Sequence, residues 1–162
     1  MLGIGEDRLS IYLNDHLAGS TGGVDLARRA ARNNRTNTYG PTLEAIAEEI
    51  EQDRATLMTL MDQLGIAHDR IKVALSWGLE KASRLKLSGE LIGYSSLSRL
   101  EELETLSLGV EGKLSLWLAL RATHKNDPRL ATFDLEELIG RARSQRRRLE
   151  RLRLRAAEEA LA

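Results

Sequence analysis

The sequence predicts an all-α protein, and three observations carry that prediction. Apolar residues recur at three- and four-residue steps over several long stretches, which is the period of one face of a helix. Aromatic residues make up only 4% of the chain, whereas sheets favour aromatic and β-branched side chains. No stretch shows the strict alternation that is typical of a half-buried strand. The chain has 162 residues, of which 42% are hydrophobic and 30% charged, so we expect a single folded domain over residues 1–162.

Four long helices are predicted, with a shorter one in the connection between the second and the third. The second starts after Gly40-Pro41, since proline is tolerated in a first turn, and Gly65 is expected to cap its end. Ser95 or Ser96 opens the third, and Asp134 or Thr132 caps the start of the fourth. The long helices are expected at about residues 6–33, 41–64, 95–124 and 134 to near the C-terminus, and the short crossover helix at 69–87.

This order of helices resembles the ferritin-like superfamily, in particular the small bacterial stress-associated ferritin-like proteins. Those proteins join two long hairpins by a long crossover, and their crossover also holds a short helix. The resemblance implies a bundle of four long helices. It also implies a di-iron site, to which two helices each give one Glu and the other two each give Glu-x-x-His.

The ligand pattern of such a di-iron site is incomplete in this sequence. The second long helix has Glu48-x-x-Glu51 and no histidine, and the fourth has Ser144 to Arg147 where ligands are expected. The first and third long helices offer Asp15, His16, Glu104 and Glu111. We therefore expect no metal and no cofactor. The alternative is a metal-binding or oxidoreductase protein with a reduced ligand set of His16, Glu48, Glu51 and Glu111.

Two of these candidates have a structural interpretation as well as a functional one. His16 lies on the apolar face of the first helix, where a buried neutral histidine bonded to a neighbouring helix is favoured over a ligand or proton relay. Glu111 adjoins core positions of the third long helix. It either faces inward, paired with an arginine of the fourth helix in an Arg–carboxylate cluster that replaces the metal site, or flanks the seam at the surface.

The charge of the chain is unevenly placed. Its net charge is zero, but residues 141–155 hold eight arginines against Glu150 alone, which gives +7 there and −7 elsewhere. Such a stretch can bind nucleic acid through phosphates, and this is a third interpretation. We expect instead that the arginines pair with the acidic stretch 44–53, within the molecule or across a dimer, and that nucleic acid is bound poorly.

Small residues and the crossover helix predict helix contacts. Interior glycines occur at Gly19, Gly22 and Gly23 in the first helix and at Gly109 and Gly112 in the third long helix. We expect the two helices to pack closely there. The predicted crossover helix carries apolar residues on several sides, including Trp77, which indicates a homodimer.

Composition excludes several classes of protein. The chain has no cysteine, so disulfides and thiolate metal sites are ruled out. No apolar run approaches the ~18 residues that span a bilayer, and the N-terminus lacks the order of a signal peptide, so a cytoplasmic protein away from membranes is expected. Neither a nucleophile–base constellation nor a cofactor motif is found. The sequence thus favours a non-enzymatic protein that acts through an unidentified protein partner.

Overall fold

The computed structural model describes residues 4–69 and 93–162, and within these ranges the chain is helical, without strands. The four long helices are confirmed close to their predicted bounds. The crossover helix predicted at 69–87, with Trp77, lies outside the described residues apart from its first position. The elements are α1 (Ile4–Asn33), α2 (Gly40–Gln63), α3 (Ser96–His124), a 3₁₀ turn (Pro128–Leu130) and α4 (Leu135–Leu161).

Side-chain and glycine caps fix the ends of the helices. The Ser95 hydroxyl accepts the backbone N–H of Ser98 at 3.2 Å at the start of α3. The Asp134 carboxylate accepts the N–H of Glu137 at 2.9 Å at the start of α4. Gly65 follows α2 with φ of +71°, a left-handed conformation that glycine adopts without steric cost. These caps are the ones that the sequence predicted.

A tight turn over residues 34–39 joins α1 to α2. The Asn34 side chain is buried, and its Nδ2 donates to the backbone oxygen of Ala30 at 2.9 Å. Asn37 donates to Asn34 Oδ1 at 2.9 Å. A Cβ at Gly40 would lie 2.6 Å from the backbone oxygen of Asn34, so the close return of the chain requires glycine at the first residue of α2.

Two clusters of buried side chains define how the helices run. One cluster joins Leu13 of α1, Leu60 of α2, Trp117 of α3 and Ile139 of α4. The other joins Ala27, Ile46, Leu103 and Leu149. In the first cluster, the residues from the four helices lie in the N-terminal halves of α1 and α4 and in the C-terminal halves of α2 and α3. Therefore α1 and α4 run in one direction and α2 and α3 in the other, and α2 ends at the opposite end of the bundle from the start of α3.

Each helix buries one stripe and exposes the rest to solvent. This amphipathic pattern leaves no helix in the described part of the chain with the length and apolarity that crossing a membrane requires. The stability of the four helices therefore depends on the shared core rather than on the helices individually.

The predicted close contact through glycines is wrong for the described part of the chain. α1 and α3 do pack against each other. However, a Cβ built at Gly19, Gly22, Gly23, Gly109 or Gly112 would have no described heavy atom within 4 Å. These positions therefore do not form a close contact between α1 and α3 among the described residues. A methyl group added at any of the five glycines would meet no described atom.

Candidate functional site

A polar cluster lies inside the bundle, between the two apolar clusters. It brings together Asp53 of α2, Lys113 of α3 and Gln145 of α4, and the side chain of Asp53 is 1% exposed and that of Lys113 15%. The Lys113 ammonium donates to Asp53 Oδ2 and to Gln145 Oε1. Gln145 Nε2 donates to Asp53 Oδ2 at 3.2 Å. Three helices are thus tied together by one buried ion pair and the amide that bridges it.

Two arginines of α4 and a second carboxylate extend the cluster toward the surface. Gln145 Nε2 also donates to Glu49 Oε2 at 3.0 Å, and Arg148 pairs with the same oxygen. Arg141 Nε lies 3.3 Å from Asp53 Oδ1, at ion-pair distance but without a hydrogen bond. Two carboxylates therefore face three protein cations.

The environment of the cluster shifts two pKa values. Burial lowers the pKa of the Lys113 ammonium below its ordinary value, and the adjacent Asp53 carboxylate opposes that shift. Burial acts to raise the pKa of Glu49, but hydrogen bonds from Arg148 and Gln145 outweigh it and leave that pKa below its ordinary value. Glu49 is therefore held as a carboxylate by the groups that surround it.

This donor set does not fit a di-iron centre. The carboxylate oxygens that would bind a cation already accept from an ammonium and a guanidinium, and three positive side chains surround the position. Within residues 4–69 and 93–162, no group of three or more His, Cys, Asp or Glu side chains is placed to hold a metal ion. The cluster can hold the helices together, and Asp53 Oδ1, which accepts no hydrogen bond, faces Arg141 Nε at 3.3 Å.

The structure does not bring together the four residues of the alternative metal site. His16 is half-buried on α1, its ring lies edge-on to Tyr12 at 4.6 Å, and burial lowers its pKa. Glu48 and Glu51 are exposed on α2, where Glu51 pairs with Arg28. Glu111 is exposed on α3, with its carboxylate 2.7 Å from Arg146 Nε. Of the two interpretations of Glu111, the surface position is the one observed.

Five of the eight arginines in the +7 stretch pair with acids. Arg141 and Arg148 pair with Asp53 and Glu49 of α2, Arg146 and Arg153 with Glu111 and Glu104 of α3, and Arg155 with Glu159 of α4. The predicted pairing with the acidic stretch 44–53 is thus correct for two arginines, while Glu44, Glu48 and Glu51 take no part in it. Arg143, Arg147 and Arg151 have no acidic partner in the described part of the chain and line an open groove between α3 and α4.

A second polar cluster lies where the end of α1 meets the start of α3. The Glu102 carboxylate is buried, and it accepts Arg29 Nε at 2.9 Å and the Tyr94 hydroxyl at 2.9 Å. Asn34 Nδ2 donates to the Tyr94 hydroxyl at 2.7 Å, and Asn34 Oδ1 accepts Arg99 Nε at 2.7 Å. Burial, and then the nearby Glu102 charge, raise the pKa of Tyr94. Tyr94, two residues before α3, is thereby tied to the end of α1.

Partial signals for these buried groups are present in the sequence. Gln145 falls in the apolar stripe of α4, and Asp53 lies between Ile50 and Leu57 in the stripe of α2. A polar residue in such a stripe indicates a buried hydrogen bond. Nothing in the sequence alone singles out Lys113 or Glu102 from the other charged residues of α3.

In the part of the chain that the structure describes, four long helices surround an interior that is held together by buried ion pairs. Comparisons with models of protein families, with curated proteins and with solved structures found no match to this chain. Its function is therefore argued from its own geometry.

Proposed function

We propose that this chain is a ferritin-like helical bundle that holds no di-iron centre and acts through contacts with other protein chains. Support for the ferritin-like assignment comes from the order and direction of the helices. α1 with α2 and α3 with α4 form antiparallel hairpins, and the connection between them leads from one end of the bundle to the other. A long crossover of this kind is the connection that ferritin-like bundles use.

The observation that carries the metal-free proposal is the Lys113 ammonium seated between Asp53 and Gln145. In di-iron bundles the inward carboxylates of facing helices neutralise bound cations. In this chain the lysine supplies that positive charge itself, and Arg148 does the same for Glu49. A metal ion entering here has to displace the ammonium and meet the repulsion of Arg141 as well.

Protein contact is favoured over nucleic-acid binding by the composition of the groove between α3 and α4. Its arginines are interleaved with the carboxylates Glu104, Glu111 and Glu150, and Leu108 is exposed among them. Carboxylates repel a phosphate backbone, whereas a protein surface can pair with both signs and cover the leucine.

Metal analysis of purified protein tests the proposal. The protein is expressed with added iron or manganese and its metal content measured by mass spectrometry, beside Lys113→Ala as the matched variant. We expect far less than one metal ion per wild-type chain. Metal bound by Lys113→Ala alone would support exclusion by the ammonium. A wild-type content of about two ions per chain contradicts the proposal, and its loss in Glu111→Ala would favour the alternative ligand set.

A further inference from the structure

The outer face formed by α3 and α4 carries four exposed leucines. Leu97 and Leu108 lie on α3, Leu154 and Leu161 on α4, and each is between 49% and 72% exposed. Leu97 and Leu108 are three helical turns apart and Leu154 and Leu161 two turns apart, so each pair shares one side of its helix. An apolar line of this kind, edged by charged residues, is typical of a contact surface.

The two helices of this face present opposite charges. Glu104 and Glu111 of α3 are each 51% exposed, so each carboxylate has room for a second partner. On α4, Arg143, Arg147 and Arg151 recur every fourth residue along one side and line the same groove. An acidic helix and a basic helix thus lie side by side on one surface.

The ion pairs between α3 and α4 show which residues of the two helices lie at the same level, that is, at the same height along the bundle. Glu111 pairs with Arg146 and Glu104 with Arg153, which shows that α3 and α4 are antiparallel with these positions level. Arg147 therefore lies close to the level of Glu111, and Arg151 close to that of Glu104. The pair of Arg99 with Glu159 likewise brings Leu97 and Leu161 to the same end of the bundle.

We propose that a second copy of this chain docks on the face of α3 and α4, related by a two-fold axis parallel to the helices. This rests on the proposed function and names its partner. Such an axis leaves each residue at the same height along the bundle, and it places α3 of one copy on α4 of the other. Each Glu111 then meets Arg147 of the other copy and each Glu104 meets Arg151, while Leu97 meets Leu161.

The charges select this arrangement over the other two-fold choice. An axis perpendicular to the helices would place α4 on α4 and bring Arg143, Arg147 and Arg151 of the two copies together, which is repulsive. The face is also large enough. Helices of this length extend about 40 Å and two neighbours span about 20 Å, so each copy buries about 800 Å², which is the size of a standard interface.

Two charge-reversed variants test the proposal by sedimentation velocity and light scattering across the micromolar range. Arg147→Glu with Arg151→Glu makes both helices of the face acidic. Glu104→Arg with Glu111→Arg makes both basic. We expect a wild-type dimer, and each variant alone should raise its dissociation constant at least about tenfold. Mixed in equal amounts, the two variants should form a heterodimer, because both contacts again join opposite charges.

Controls separate this face from other causes. Leu108→Glu should weaken the dimer, whereas Ile11→Glu, at a residue of α1 that is 58% exposed, and Arg35→Glu in the α1–α2 turn should not. Circular dichroism verifies that each variant is folded. A monomeric wild type, or a dimer that tolerates the reversals, overturns the proposal. Metal content, measured on the same samples, reports separately on the proposed function, so the two can fail independently.

Discussion

Replacing Lys113 by methionine should lower the free energy of unfolding by about 3 kcal/mol, because it leaves the buried Asp53 carboxylate without its ammonium. Breaking a buried ion pair costs roughly 3–5 kcal/mol. The lower end applies, since Arg141 Nε at 3.3 Å and Gln145 Nε2 at 3.2 Å remain beside Asp53. For a chain of this size the loss corresponds to a melting temperature lower by about 6–12 °C.

A double-mutant cycle measured by urea denaturation checks the cause. Asp53→Leu alone should destabilise less than Lys113→Met, because the ammonium is 15% exposed and can turn toward water. The double variant should recover most of the loss, giving a coupling of about 2 kcal/mol. Lys125→Met, at an exposed position after α3, is the matched control and should change stability by less than about 0.5 kcal/mol. Additive losses, or a cost at Lys113 no larger than that of the control, would refute the reasoning.

Four further substitutions test the same structure. Gly109→Ala should stabilise the protein by about 0.5–1 kcal/mol, because the site is open and alanine favours the helix. Gly40→Ala should destabilise it, because its Cβ would lie 2.6 Å from a backbone oxygen. Thermal melts measure both, and a change of melting temperature in the same direction for the two variants would contradict the reasoning. Tyr94→Phe should cost about 1–2 kcal/mol, because it removes the donor to Glu102, and an unchanged melt would show that this bond adds nothing. The pKa of Glu49 lies below its unfolded value, so the stability that the Glu49 carboxylate contributes is present above about pH 4.5 and is lost as pH falls through the folded pKa. In Glu49→Gln the free energy of unfolding should therefore fall less steeply with decreasing pH. A variant whose stability has the same pH dependence as the wild type would exclude the effect.

The helices could be predicted from the sequence because their signals are local. The apolar period, the serine and aspartate caps and Gly65 act within a few residues, and the structure has each of them where it was expected. The glycines at 109 and 112 misled because a glycine in a helix is equally compatible with close packing and with an empty outer face. Only the rotation of the helix about its axis separates the two.

Rotation and register also explain why the buried cluster was missed. Glu111 and Lys113 are both charged residues near the core positions of α3, yet they point to opposite sides of the helix. Glu111 lies on the exposed side of α3, and Lys113 lies on the side that faces the interior. Which arginine of α4 meets which acid depends on the relative height of three helices, and no pattern within one helix encodes that height. Pairing of the arginines of α4 with acids of the stretch 44–53 was predicted, but Lys113 and Gln145 as members of the cluster were not.

We propose that protein cations take the interior position that a metal ion takes in a ferritin-like bundle. Paramagnetic broadening by Mn²⁺, followed in amide NMR spectra of the folded wild-type protein, tests that claim most directly. We predict that one equivalent of Mn²⁺ leaves the amides of Asp53, Lys113 and Gln145 no more broadened than that of Lys125, an exposed residue after α3. Saturable broadening centred on these three residues would contradict the account.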